Sequence, residues 1–186
     1  MRVEEKVPHM YAEGMMTRTA LLLVSVVIVL AQNRRPRFED FPAPTDWKGP
    51  ATAPKLTTRS ERLFRTRLLQ AAKEPPNFAT HYRFSVWGCG SECVSGAIID
   101  LATGQVLAPP LAKSGTSWMN FSVCQSAYED SGVDVRPDSK LMIVRCGLNY
   151  DEQLKRNVPD VYYFVLDGQG FRKLAHLHGK EAFLSK

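Results

Sequence analysis

Residues 79–87 read Ala-Thr-His-Tyr-Arg-Phe-Ser-Val-Trp, and within them Tyr82, Phe84 and Val86 alternate with His81, Arg83 and Ser85. A period of two places successive side chains on opposite faces, so this stretch predicts a strand with one buried face. Similar runs follow at short intervals. Val94 to Leu101 predicts a second strand. Asp100-Leu101-Ala102-Thr103-Gly104 then predicts a turn in which Gly104 takes a positive φ, and Gln105 to Leu107 returns as a third. Trp118 to Cys124, Lys140 to Cys146, Val161 to Leu166 and Phe171 to Leu177 add four more. Pro137-Asp138-Ser139 forms a turn before the Lys140 strand, and Asp167-Gly168 opens a hairpin. Short strands with close turn signals predict an antiparallel domain, not a parallel βαβ fold. The expected class is mainly β, α+β at the margin: a curled sheet or small sandwich with one N-terminal amphipathic helix packed on it. About a hundred residues of strand are too few for a closed propeller.

Upstream, Thr58-Arg59-Ser60-Glu61 fits a capping box, in which hydroxyl and carboxylate satisfy orphan amides reciprocally. A helix is expected from about Arg59 to Lys73. Phe64, Leu68, Ala71 and Ala72 fall on one face and Arg59 and Arg62 opposite, and Pro75-Pro76 ends it. Residues 32–55 carry Pro36, Pro42, Pro44, Pro50 and Pro54. They predict an irregular lead-in to a single β-rich domain over 56–186, with Phe38, Phe41 and Trp47 docking on it.

Ala20 to Ala31 is a twelve-residue uncharged run preceded by Arg18 and closed by Val29-Leu30-Ala31. These are the parts of a secretory signal over 1–31, and the run is short of the ~20 apolar residues of a membrane span. Met15-Met16 follows three acidic residues (Glu4, Glu5, Glu13), so residues 1–14 are read as a start-site extension. Removing 31 of 186 residues leaves 155, enough for a real core, and the net charge of +5 is unchanged. The expected location is periplasmic or secreted, with no stable membrane span after cleavage. A composition of 44% apolar and 23% charged residues excludes wholesale disorder and a multi-span membrane protein. The one dense basic cluster, Arg34, Arg35 and Arg37, lies in the lead-in without aromatic interleaving, so no nucleic-acid partner is expected.

An even set of four cysteines, Cys89, Cys93, Cys124 and Cys146, favours disulfides in an exported chain and allows three pairings. The favoured one is Cys89–Cys93, closing a tight loop, with Cys124–Cys146 tying two strands. Glu92 inside the first loop disfavours a reactive thiolate, so a structural staple is preferred to redox chemistry.

Asn77-Phe78-Ala79-Thr80-His81-Tyr82, Trp87-Gly88-Cys89-Gly90-Ser91-Glu92-Cys93 and Asp100, Thr103 and Gly104 together form a wider pattern. It resembles a group of small exported bacterial proteins of unknown function, marked by N-F-A-x-H-Y, then W-G-C-G-x-x-C, then D-x-x-T-G. The match runs from about Asn77 to Leu174. The resemblance implies an envelope location and a shared fold, and it implies no activity. Cys124 and Cys146 are additions to that pattern.

For chemistry, His81 stands on the polar face of its strand as a catalytic candidate without an identified nucleophile. His81, Trp87 and Asp100, with the Gly88–Cys93 loop, form a ligand-pocket expectation if they converge. Asp100 is more simply the acceptor of its own turn. His176 and His178, two apart on one strand face, are weak metal candidates lacking a legible third ligand. Ser114-Gly115-Thr116-Ser117 lacks a hydrolase elbow, and Asp130, Asp134 and Asp138 do not match a calcium loop. Asn120-Phe121-Ser122 is a glycosylation sequon, meaningful only in a eukaryotic secretory host. No cofactor is expected. The reading is a non-catalytic envelope binding or accessory domain with an unknown envelope protein or small ligand as partner. The alternative is an envelope enzyme: a hydrolase using His81, or a thiol-redox protein using Cys89 and Cys93.

Overall fold

The computed structural model describes residues 34–90, 93–111, 119–120, 132–152, 155–168 and 170–178, and for 89, 93, 119–120, 147–151 and 156–159 the backbone alone. The expected signal segment, Trp118 and Cys124 lie outside the described residues. The chain divides into two compact units, Met1–Arg35 and Pro36–Lys186, and every element below belongs to the second.

The fold is mainly β. One antiparallel sheet pairs β1 (Tyr82–Gly90), β2 (Cys93–Asp100) and β3 (Val106–Leu107) in that order, with β4 (Met119–Asn120) also on β2. The other runs in the order β5 (Val133–Asp134), β6 (Leu141–Asp151), β7 (Arg156–Asp167) and β8 (Gly170–Leu177). Phe84, Ile98 and Leu107 from the first sheet share one buried cluster with Met142, Val144, Phe164 and Leu166 from the second. Alternation therefore gives each sheet a second, outer face.

On the first sheet, Trp87, Ala97 and Ile99 turn outward and are covered by Leu68, Ala71 and Ala72 of the helical segment. On the second, Leu141, Ile143, Val161 and Tyr163 are covered by Phe38 and Phe41 of the lead-in. Trp47 packs with the helix-covered cluster, so all three lead-in aromatics dock. Pro42 bridges Ser139, whose hydroxyl lies 2.8 Å from the Phe38 carbonyl and 2.9 Å from that of Phe41.

The helix begins where the capping box placed it. Glu61 N–H donates to Thr58 Oγ1 at 3.1 Å, and Thr58 N–H donates to Glu61 Oε2 at 2.7 Å. The expectation of one helix to Lys73 needs correction. Segments α1 (Arg59–Leu63) and α2 (Arg65–Ala71) meet at Phe64, which sits at φ −98°, ψ 19° with its ring 5.3 Å from that of Trp87. The ladder survives the break, since Leu68 N–H donates to the Phe64 carbonyl at 3.0 Å. β6 and β7 also extend beyond the apolar runs that announced them, and β5 was not expected at all.

Asn77 to Tyr82 folds into a tight turn between the sheets. Phe78 and Tyr82 bond each other's backbone, while Ala79 and Thr80 take φ of 40° and 75°. The reward for this conformation is that Ala79 N–H reaches the Arg136 and Ser139 carbonyls at 3.2 Å, and Thr80 N–H reaches Pro137 at 2.8 Å. The turn thereby binds the start of β1 to the chain entering β6.

Candidate functional site

Three places among the described residues gather polar groups. One is an open cleft of about 720 Å³ lined by parts of β1 and of the segment through β5, among them Arg83, Phe84, Val86, Val133, Asp134 and Arg136. Among the described residues, β1 is the edge of its sheet and β5 the edge of the other. Asn77 caps part of the β1 edge: its side chain accepts from Phe84 N–H at 2.8 Å and donates to the Phe84 carbonyl at 3.0 Å. Strand alternation turns the Val86 backbone to the same outer edge. It has no hydrogen-bond partner among the described residues, and its side chain is exposed. The arginines are held in place. Arg83 pairs with Glu74 and donates to the Pro75 carbonyl at 3.1 Å. Arg136 pairs with Glu39 at 3.0 Å and lies over the Phe38 ring at 4.3 Å.

The second place is the Asp100 turn. His81 Nε2 lies 3.4 Å from Asp100 Oδ1, and the imidazole stacks on Tyr82 with centroids 4.5 Å apart. The buried carboxylate also serves its own loop. Ala102 and Thr103 N–H donate to Oδ1 at 2.8 and 3.1 Å, and Thr103 Oγ1 donates to Oδ2 at 2.7 Å. Burial, and then the Asp100 charge, hold the Tyr82 phenol above its usual 10.0. Trp87 does not join this group. It stands six residues along β1 from His81, ~20 Å at strand rise, buried against Phe64. Gly88, Gly90 and the Cys93 backbone are at that same far end, where the hairpin carries a bulge between Gly88 and Gly90 and Gly90 takes φ 142°. The convergence of His81, Trp87 and Asp100 is thus replaced by a His81–Asp100 pair with Trp87 as a core anchor.

The third place is on β7 and β8. The register sets Tyr162 opposite His176 and Val161 opposite Leu177, which brings His178 level with Asp160. Asp160, whose side chain is 12% exposed, turns one oxygen to each imidazole. Oδ1 lies 3.1 Å from His178 Nδ1, and Oδ2 lies 3.2 Å from His176 Nε2. The three donor atoms lie within 4.8 Å of one another. His176 stacks on Tyr162 at 3.9 Å, nearly parallel. Its Nε2 is buried yet makes no hydrogen bond, despite its closeness to Asp160. Burial, and then Asp160, raise the Tyr162 phenol above its ordinary value. These three residues are the set here with metal-ligand chemistry. Nothing local in the sequence links Asp160 to the histidines, since only the pairing of β7 with β8 brings it to them.

Opposite Asp160 on β6 stands Cys146, which is disulfide-bonded. Its partner sulfur, like the side chains of Cys89, Cys93 and Cys124, lies outside the described residues. No helix among the described residues is long and apolar enough to cross a membrane. No family model matches the chain, and no curated protein or solved structure matches it.

Proposed function

We propose that this chain is an exported, non-catalytic binding or accessory domain of the cell envelope, and that its binding surface is the cleft between β1 and β5. The observation that carries the reading is the β1 edge at Val86, unpaired among the described residues, beside a cleft lined by Phe84, Val133 and Val135 and flanked by fixed arginines. An exposed strand edge next to side-chain pockets recruits an extended polypeptide by strand addition. The partner is therefore an envelope protein that offers such a segment. The leader-like residues 1–31 and the four cysteines support export, and the resemblance at Asn77–Tyr82, Trp87–Cys93 and Asp100–Gly104 supports an envelope location. The proposed pairing remains Cys89–Cys93 with Cys124–Cys146.

The hydrolase alternative has the 3.4 Å approach of His81 to Asp100 in its favour. Against it, the Thr103 hydroxyl beside Asp100 already donates its proton to that carboxylate, and no other hydroxyl among the described residues hydrogen-bonds to His81.

The test places a photo-crosslinking residue at Val86, and separately at exposed Leu63 on α1, in the chain carrying its own leader. The expected result is a polypeptide in the periplasm or medium that begins at Gln32, has no free thiols and gives a discrete protein adduct from position 86 only. Intact chain in the cytosol with free thiols would overturn the export reading. A folded, exported chain that gives no adduct from position 86, or the same adduct from both positions, would overturn the cleft.

A further inference from the structure

We infer that Asp160, His176 and His178 form a binding site for one divalent cation of the borderline first-row type, with Zn²⁺ its representative. The inference is independent of the cleft and of export. Two imidazole nitrogens and a carboxylate oxygen suit Zn²⁺, Cu²⁺ or Ni²⁺, whereas Mg²⁺ and Ca²⁺ take mostly oxygen. Donors bound at about 2.0–2.1 Å to a tetrahedral ion lie about 3.3 Å apart. Asp160 offers a different oxygen to each imidazole, Oδ2 at 3.2 Å from His176 Nε2 and Oδ1 at 3.1 Å from His178 Nδ1, and one donor atom from each residue lies within 4.8 Å of the other two, so a bound ion draws the set together by about an ångström.

The second observation is the state of His176 Nε2. A buried imidazole nitrogen next to a carboxylate ordinarily hydrogen-bonds to it. Here the atom is buried and 3.2 Å from Asp160 Oδ2, but it makes no hydrogen bond among the described residues. Two ligands of one ion behave in this way, since their lone pairs converge on a third point instead of on each other. The stack on Tyr162 fixes the His176 ring plane, and the strand pairing fixes Asp160. His178, with a side chain 69% exposed, supplies the third donor and leaves one side of the ion open to water. Three protein donors with an open position make a site that exchanges its ion instead of burying it.

The test is titration of the purified, metal-stripped full chain with Zn²⁺ against a chromophoric chelator, repeated with Co²⁺ to read its visible d–d bands. One equivalent should bind, and excess Mg²⁺ should not displace it. Asp160→Asn and His176→Ala should each weaken binding at least about tenfold. His178→Ala, at an exposed position, should weaken it with the circular dichroism unchanged. His81→Ala should bind as the parent does. Absence of Zn²⁺ binding by the parent chain would overturn the inference. So would a folded His178→Ala protein that binds equally well, or a loss in His81→Ala equal to that in His176→Ala.

Discussion

Thr103 Oγ1 donates a 2.7 Å hydrogen bond to Asp100 Oδ2, inside a turn whose backbone amides at Ala102 and Thr103 are held by the other oxygen of the same carboxylate. One buried side chain therefore organises the β2–β3 connection and also faces His81. Asp100→Ala should cost about 2–4 kcal/mol, because it leaves those amides without their acceptor in a buried setting. Asp100→Asn should cost about half as much, since an amide oxygen still accepts from them. Urea unfolding followed by circular dichroism measures both. A cost for Asp100→Ala below that for Asp100→Asn would mean that the carboxylate does not hold the turn.

Gly104 in the same turn has φ +76°, and a methyl placed there would run into the Ala53 carbonyl. The reason is the lead-in, which crosses the turn and hydrogen-bonds it through Thr52 N–H to Leu101 O at 2.8 Å and Lys55 N–H to Gly104 O at 2.7 Å. Gly104→Ala adds left-handed strain to a backbone clash and should destabilise by about 3 kcal/mol. It should also expose residues 50–56 to proteolysis before the rest of the domain. Limited proteolysis with mass mapping reads this directly, and an unchanged cleavage pattern would disconnect the lead-in from the turn.

Thr80 carries the opposite kind of strain. A β-branched residue at φ 75° is disfavoured, yet its amide is needed by the Pro137 carbonyl. Thr80→Gly keeps the amide and removes the steric cost, less the extra chain entropy of glycine. The expected net gain is about 0.5–1 kcal/mol, seen as a raised Tm. A lowered Tm would show that the threonine side chain contributes more than its backbone costs.

The strands were legible where one face is buried, because alternation survives any tertiary context: Tyr82, Phe84 and Val86 announce β1 unaided. The capping box at Thr58 and Glu61 was legible because it is a local exchange of hydrogen bonds. β5 was not, since two residues paired to β6 carry no periodicity. The Asp160 cluster was hidden by a single irregularity. Phe164 pairs with Lys173 but Tyr163 with Ala175, so a one-residue bulge at Leu174 shifts the register. Counting a regular hairpin back from Asp167 and Gly170 would set His176 against Val161, on the other face. The bulge turns both histidines to the side of Tyr162 and Asp160, and nothing local in the sequence marks it.

Trp87 is nearly enclosed at 7% exposure, and its indole N–H is buried without a hydrogen-bond partner among the described residues. Its contribution is therefore shape and apolar area, not a polar anchor. Trp87→Phe removes the unsatisfied donor along with some packing and should change Tm little. Trp87→Ala should cost about 3–5 kcal/mol through the cavity left under Phe64 and Leu68. Equal losses in the two variants would mean that the indole N–H has a role the packing does not reveal.

Tyr82 links the second site to alkaline stability. Burial and the neighbouring Asp100 charge both disfavour its phenolate, so its pKa in the folded protein stands above the usual 10.0. The folded state thus holds the phenolic proton more tightly than the unfolded chain does. The stability this provides is fully present below about pH 10 and is lost as pH rises through the folded-state value. Absorbance titration should show one tyrosine ionising later than the free phenol. Asp100→Asn should bring that step part of the way back, because it removes the charge and leaves the burial. Tyr82→Phe should remove the step and flatten the corresponding fall in stability between pH 9 and 11 (approximate bounds, set around the usual tyrosine value). A Tyr82 that titrates at the ordinary value in the folded protein would place its hydroxyl in water, and the inter-sheet cluster beneath it would then be open at that corner.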